Sequence, residues 1–123
     1  MDNMNEYAAR ALRLANNLGP EGDLIHATLG ITSEAGEIAD AVKKHFAYGK
    51  PLNRDNVLEE LGDLAWFMTL MMANLKTSWP EITAMNIAKL EKRYPDLKFN
   101  AEHATDRNKQ LELEAMGNAA NAR

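Results

Sequence analysis

Leu58-Glu-Glu-Leu-Gly-Asp-Leu-Ala-Trp66 sets two acidic residues, three positions apart, inside an otherwise apolar run. The earlier segment Ile31-Thr-Ser-Glu-Ala-Gly-Glu-Ile-Ala39 repeats this arrangement. In both segments the residue before the second acid is a glycine, Gly36 or Gly62. Glycine costs a helix interior about 1 kcal/mol relative to alanine. The repeated glycine therefore indicates that something packs or binds closely at these two positions.

The acidic residues of these segments form two pairs, Glu34 with Glu37 and Glu60 with Asp63. Residues i and i+3 lie on the same side of a helix, so each pair points two carboxylates at one spot. Four carboxylates that face one another repel strongly unless a cation lies between them or some of them hold protons. Mg²⁺, for which Mn²⁺ can substitute, is the predicted ion because these hard cations bind carboxylate oxygens. The alternative is two solvated acidic faces.

The rest of the chain has the composition and the spacing of helices, and strand signals are nearly absent. The sequence therefore predicts an all-α fold, an antiparallel helical bundle of about four core helices plus a C-terminal helix. The predicted helices span about residues 3–17, 23–48, 53–76, 78–94 and 105–116, and a loose tail covers residues 117–123. Asp23 is the predicted N-cap of the second helix, and Ser78 that of the fourth. Gly19-Pro20 is predicted to end the first helix.

The length of 123 residues suits one compact domain, so a single domain is predicted over residues 1–123. The second and third helices should pack antiparallel and bring the two acidic pairs together near the middle of the bundle. A core of this size leaves apolar surface for a second subunit. The residues predicted to supply that surface are Trp66, Met68, Met71, Met72 and Trp79.

Charge and composition exclude several classes of protein. Fourteen basic and eighteen acidic residues give a net charge of -4, which argues against a protein that coats nucleic acid. The absence of cysteine excludes disulfides and thiolate metal sites. Residues 1–6 lack the pattern of a signal peptide, and the apolar run 64–75 is shorter than the roughly 20 residues of a membrane span. We therefore expect a cytoplasmic protein without a membrane partner.

Two groups of polar side chains suit a phosphate ligand. Lys44 lies seven residues after Glu37, nearly two turns along the same face of the second helix. The second group, toward the end of the fourth helix, consists of Asn86, Lys89, Arg93 and Tyr94. Arginine binds a phosphate through two parallel hydrogen bonds and lysine acts as a mobile point charge, so this group suits a triphosphate. The alternative is that Lys89 and Arg93 only complement the helix macrodipole.

Three motifs together resemble a known family. Glu34-Ala-Gly-Glu37, Glu60-Leu-Gly-Asp63 and Lys89-Leu-Glu-Lys-Arg-Tyr-Pro95 follow the E-x-x-E, E-x-x-D and K-x-x-x-R pattern of the MazG-like all-α nucleoside triphosphate pyrophosphohydrolases. The resemblance covers a core of about residues 22–99, with the C-terminal helix and tail at about 104–123. It is greatest to the short single-domain members from bacteria and phages. One departure is Ser33, where some members carry an additional glutamate before the first pair.

The resemblance implies an enzyme that cleaves a nucleoside triphosphate between its α- and β-phosphates, releasing a nucleoside monophosphate and pyrophosphate. It also implies a homodimer or homotetramer, in the host cytoplasm if a phage encodes the protein. The predicted Mg²⁺ ligands are Glu34, Glu37, Glu60 and Asp63, and Glu37 and Glu60 are also the predicted catalytic residues. Lys89 and Arg93 are the implied phosphate contacts, to which the spacing adds Lys44, Asn86 and Tyr94 as candidates. The general base is Glu37 or Glu59, and the sequence does not choose between them.

Other functions stay open at this point. A non-catalytic helical interaction protein could use the acids to hold a structural ion. A guanosine tetraphosphate-type hydrolase would share the site but not the substrate. A di-iron carboxylate protein would need Glu-x-x-His motifs, which this chain lacks.

Overall fold

The computed structural model describes residues 3–122, and these residues contain helices and no strand. The helices are α1 (Met4–Ala11), α2 (Gly19–Tyr48), α3 (Arg54–Asn74), α4 (Trp79–Arg93), α5 (Ala101–Thr105) and α6 (Lys109–Asn121), and a 3-10 turn (Leu12–Leu14) follows α1. The predicted all-α class is therefore confirmed. Met1 and Asp2, in the segment that lacks a signal-peptide pattern, and Arg123, in the predicted tail, lie outside the described residues.

Polar side chains cap the starts of two of the long helices, and the cap at Ser78 is the one that the sequence predicts. The Ser78 hydroxyl accepts a hydrogen bond from the backbone N–H of Glu81, which starts α4. The Asn53 side chain accepts one from the backbone N–H of Asn56, which starts α3. These oxygens satisfy N–H groups that have no partner in the first turn of a helix.

The predicted start of the second helix is wrong, because α2 already begins at Gly19. Pro20 lies in its first turn, where a proline needs no N–H partner and its fixed φ angle suits the helix. Gly19 has a φ angle of +81°, which glycine adopts without strain. Asp23 is therefore inside the helix, although its Oδ1 still accepts a hydrogen bond from the N–H of Leu18 at 3.0 Å.

The predicted C-terminal region also needs correction. A short helix, α5, precedes α6, and α6 continues through residues 117–121, which were predicted to be loose. Asn108 caps α6 by accepting a hydrogen bond from the N–H of Leu111. The helix continues past Gly117 because Ala119 and Ala120 are good helix formers and are partly buried.

The chain forms two compact units, one ending at Lys76 and the other beginning at Thr77. In the first unit α2 packs along α3, and α1 contacts α3. In the second unit α4 packs against α6. Because only a short connection joins α2 to α3, these two helices run antiparallel, and this pairing positions the acidic residues.

A glycine allows the close packing of α2 on α3. Gly30 is buried, and a Cβ at this position would lie 2.2 Å from Cδ1 of Phe67. His26 and Trp66 pack edge-on against the Phe67 ring, with centroid distances of 5.4 and 5.1 Å. The Trp66 Nε1–H donates a hydrogen bond to the Ala11 carbonyl oxygen at 3.0 Å, which ties α1 to α3.

Four of the five residues predicted to supply apolar surface for a second subunit remain partly exposed. All five residues expected to supply it are buried or partly buried in this chain, and Met72 is only 7% exposed. The large apolar residues that α2 and α3 do expose include Ile25, Leu29, Phe46, Leu58 and Leu61. Among the described helices, none has the length and apolar character required to cross a bilayer.

Candidate metal centre

Three acidic side chains from two helices meet in the first unit. Glu34 of α2 and Glu60 and Asp63 of α3 each offer a carboxylate oxygen, and these oxygens lie within 4.8 Å of one another. Glu34 and Glu60 are partly buried, whereas Asp63 is exposed. The antiparallel packing of α2 on α3 therefore brings one member of the first pair to both members of the second.

The electrostatics of this cluster favour a cation. The pKa of the Glu34 carboxyl is raised by its partial burial, by a hydrogen bond with Glu60 and by the charges of Glu60, Asp63 and Glu37. A raised pKa means that the site disfavours another negative charge unless a positive one compensates it. Clustered carboxylate oxygens are also the donor type that Mg²⁺ and Mn²⁺ prefer. The residues present thus fit a hard divalent cation.

Glu37, the fourth predicted ligand, is not part of the cluster of three. It is exposed on α2, and its charge reaches Glu34. Three residues correspond to about 300° of rotation around a helix, so the two acids of a pair diverge by about 60°. Glu59, the other candidate base, is also exposed.

Two residues that the sequence reasoning missed border the cluster. The Asn56 side-chain amide donates a hydrogen bond to Oε1 of Glu60 at 2.9 Å, across one turn of α3. Its i, i+4 spacing from Glu60 was the available signal. Burial, and then the charge of Asp63, raise the pKa of the Tyr7 phenol on α1. No local spacing could have indicated Tyr7, because it lies far from Asp63 in the sequence.

The paired glycines have no packing role within this chain. A Cβ at Gly36 or Gly62 would meet no atom within 4 Å. The close packing that the sequence indicated occurs at Gly30 instead. Close packing is therefore not the reason for these two glycines. Binding of a ligand remains, because both glycines leave open space beside the acidic residues.

The candidate phosphate contact on α2 is paired with an acid of its own helix. Lys44 Nζ lies 2.6 Å from Oδ2 of Asp40, and Lys43 Nζ lies 3.1 Å from Oδ1. These pairs lower the pKa of the Asp40 carboxyl, and the hydrogen bond to Asp40 raises the pKa of the Lys44 amine. The Lys44 side chain is 58% exposed, so water screens this pair and it opens readily.

The other candidate phosphate contacts belong to α4 in the second unit. Lys89 and Tyr94 are partly buried there, whereas Asn86 is exposed. Arg93 forms two hydrogen bonds with Glu112 of α6, from Nε to Oε1 at 3.0 Å and from Nη2 to Oε2 at 3.3 Å. Arg93 therefore has a specific partner and does more than complement the helix macrodipole.

Comparisons with known proteins agree with this architecture. Residues 25–98, more than half of the chain, match the family model of the MazG nucleotide pyrophosphohydrolase domain. The Gene 37 protein of Mycobacterium phage L5 is 35% identical over 74 residues, which cover 57% of this chain and 65% of that protein. The chain thus spans less than two thirds of the curated relative that it matches. No solved structure matches it. All three motifs and the acidic cluster lie within residues 25–98, and the chain belongs to the MazG nucleotide pyrophosphohydrolase family.

Proposed function

We propose that this protein is a metal-dependent nucleoside triphosphate pyrophosphohydrolase. It cleaves a ribo- or deoxyribonucleoside triphosphate between the α- and β-phosphates, and the products are the nucleoside monophosphate and pyrophosphate. The observation that carries this proposal is the cluster of Glu34, Glu60 and Asp63, whose oxygens lie within 4.8 Å of one another inside the segment that matches the family.

Glu34, Glu60 and Asp63 would hold Mg²⁺, or Mn²⁺ in its place, with Glu37 as a fourth ligand. When bound, the ion neutralises phosphate charge and lowers the pKa of the attacking water. Asn56 keeps the Glu60 carboxylate in one orientation through its 2.9 Å hydrogen bond. Glu37 is exposed next to the cluster, where it can accept the proton that the water loses. The water oxygen bonds to the α-phosphorus, and the α–β bridging oxygen leaves with pyrophosphate.

Cationic side chains offset the charge of the departing pyrophosphate. Lys89 and Arg93 contact the phosphates, and the additional proposed contacts are Lys44, Asn86 and Tyr94. The exposed pair of Lys44 and Asp40 opens at little cost when a phosphate competes for the amine. Positive groups fixed before the reaction stabilise the charge that develops during it.

The active form is a homodimer or a homotetramer in the cytoplasm, or in the host cytoplasm for a phage protein. The exposed apolar residues of α2 and α3 support this association. The similarity to a phage protein supports the phage setting. The net charge of -4 argues against a nucleic-acid partner.

A substrate panel tests the proposal. Canonical, deoxy and damaged nucleoside triphosphates and guanosine tetraphosphate are incubated with Mg²⁺, with Mn²⁺ or with EDTA, and the products are identified by mass. We expect pyrophosphate and a monophosphate only when metal is present. Asp63→Asn should abolish turnover, whereas Asp55→Asn, an exposed acid at the start of the same helix, should not.

The alternatives give other results in the same panel. A protein that binds Mg²⁺ but cleaves no nucleotide would be the non-catalytic interaction protein. A protein that cleaves only guanosine tetraphosphate would be the alarmone hydrolase.

A further inference from the structure

Two arginines share one buried carboxylate in the second unit. Glu112 on α6 is 2% exposed, and it accepts hydrogen bonds from Arg93 at the end of α4 and from Arg107 just before α6. Arg107 donates from Nε at 3.2 Å to both oxygens and from Nη2 to Oε2 at 2.5 Å. The hydrogen bonds from Arg107 and Arg93 lower the pKa of Glu112 to about 2. The carboxylate is therefore ionised at neutral pH.

The geometry of Arg93 leaves part of its guanidinium for another ligand. Glu112 takes the edge formed by Nε and Nη2, and it takes none of the hydrogens on Nη1. An arginine side chain carries five N–H donors in a planar fork, so donors beyond those that Glu112 and the Tyr94 hydroxyl engage stay able to bind an anion. A hydrogen bond with the Tyr94 hydroxyl also raises the pKa of Arg93, by less than the hydrogen bond with Glu112 does. Tyr94 thus lies near the same guanidinium.

The charges of this group also favour an anion. One carboxylate and two guanidiniums leave one positive charge in excess. The Arg93 side chain is 16% exposed, so the charge is shielded from water more than that of an ordinary surface arginine. Partial shielding strengthens the attraction to a phosphate.

We propose that Glu112 is a positioning residue, which holds the Arg93 guanidinium in the orientation that receives a phosphate group. This inference rests on the proposed function, which places Arg93 at the phosphates. The segment that matches the family ends at residue 98, before Arg107 and Glu112. The C-terminal helix of this chain therefore takes part in the phosphate site through Arg93, although it carries none of the three motifs.

Two simpler roles for Glu112 predict different results. A carboxylate that only ties α6 to α4 would affect stability and not anion binding. A carboxylate that only neutralises the arginines would weaken anion binding. Removal of that carboxylate would then make anions bind more tightly. A positioning carboxylate predicts the opposite sign, because a guanidinium that loses its fixed orientation binds a phosphate less well although the local positive charge increases.

Binding of inorganic pyrophosphate tests the proposal without turnover. The affinity is measured by titration calorimetry in Mg²⁺ buffer, well below the melting temperature, for the wild type, Glu112→Gln and Arg107→Gln. We expect Glu112→Gln to weaken binding about tenfold, the magnitude of one good charged hydrogen bond. Arg107→Gln, which removes a positive charge but leaves Glu112 on Arg93, should change the affinity by less than about threefold. The proposal is overturned if Glu112→Gln binds pyrophosphate as tightly as the wild type or more tightly. It is also overturned if Glu112→Gln and Arg107→Gln lose equal affinity.

Two more variants protect the test against a folding defect. Glu112→Asp keeps the charge but is one methylene shorter, so it should fold and still bind pyrophosphate several-fold more weakly. Wild-type affinity in Glu112→Asp contradicts the proposal even if Glu112→Gln does not fold. Adding Arg93→Lys to Glu112→Gln should cause little further loss of pyrophosphate affinity, because both changes remove the same interaction. Additive losses contradict it.

The outcomes also separate this inference from the proposed function. A wild type that binds pyrophosphate through Glu112 and Arg93 but hydrolyses no triphosphate contradicts only the proposed function. A wild type that hydrolyses triphosphates while Glu112→Gln keeps full pyrophosphate affinity contradicts only the positioning role. A wild type that does not bind pyrophosphate overturns the positioning role.

Discussion

Glu34 shows how a side chain of the proposed metal site opposes folding when no ion is bound. Its carboxyl is held close to Glu60 and Asp63, and partial burial and these neighbours raise its pKa. Such a carboxyl destabilises the folded protein at neutral pH, because the unfolded chain holds the same charges farther apart. An ion that binds only the folded state reverses this effect.

The first prediction concerns Glu34→Gln. In EDTA this variant should melt a few degrees above the wild type, because one of the crowded negative charges is gone. On addition of Mg²⁺ the wild type should gain about 2.7 kcal/mol when the ion is 100-fold above its dissociation constant. The variant should gain little and turn over slowly. A thermal melt in which Mg²⁺ stabilises both proteins equally would show that Glu34 is not a ligand.

The second prediction uses the two kinds of helical glycine. Gly30→Ala should destabilise the protein by about 1–3 kcal/mol, because the new Cβ would overlap Phe67 and overpacking outweighs the better helix propensity. Gly62→Ala should stabilise the metal-free protein by up to about 1 kcal/mol, because its Cβ meets open space. Urea unfolding measures both. If a ligand approaches Gly62, Gly62→Ala also loses turnover despite its greater stability. Stability changes of the same sign in Gly30→Ala and Gly62→Ala would contradict the packing described.

At the scale of elements, α6 is joined to α4 by a buried ion pair. Glu112 accepts hydrogen bonds from Arg93 across the interface, and the pKa of Glu112 is lowered from 4.5 to about 2. A carboxyl whose pKa is lower in the folded than in the unfolded state stabilises the fold only while it is ionised. Its contribution is therefore complete above about pH 4.5 and is lost as the pH falls toward about 2.

The third prediction follows from this pH window. The stability difference between the wild type and Glu112→Gln should be constant from pH 7 to about 4.5 and should vanish near pH 2. Urea unfolding at a series of pH values measures it, with Glu114→Gln, an exposed acid of the same helix, as a control that matches the wild type at pH 7. A difference that persisted at pH 2 would mean that the charge of Glu112 is not what joins the helices.

At the scale of the whole molecule, the exposed apolar residues of α2 and α3 carry the fourth prediction. Light scattering at micromolar concentration should report a dimer or a tetramer. Leu29 is 64% exposed on α2, and Leu29→Lys should lower the mass because it places a charge where apolar surface is buried. Leu113, 62% exposed on α6, gives the matched control, and Leu113→Lys should leave the mass unchanged. A fully active wild-type monomer would refute the association.

Local patterns in the sequence determined the all-α class and the candidate chemistry of this protein, although several helix bounds differ from the predicted ones. The cap at Ser78 was predictable because an N-cap hydrogen bond spans only three residues. The acidic pairs and the group that contains Lys89 and Arg93 were recognisable in the sequence, because helical periodicity fixes which side chains share a face. The same motifs indicated the family, which the match over residues 25–98 confirms.

Packing between helices decided the rest, because it depends on which faces meet and not on local spacing. Only the structure shows that Gly30, and not Gly36 or Gly62, packs closely against the neighbouring helix, and that Glu37 lies apart from the cluster of three. The pair of Arg93 and Glu112 joins residues 19 positions apart, so no helical period relates them. The same holds for the methionine and tryptophan side chains, which the sequence assigned to a second subunit. Met72 is buried and the other four are partly buried within this chain, because apolar surface is buried by whichever helix lies closest.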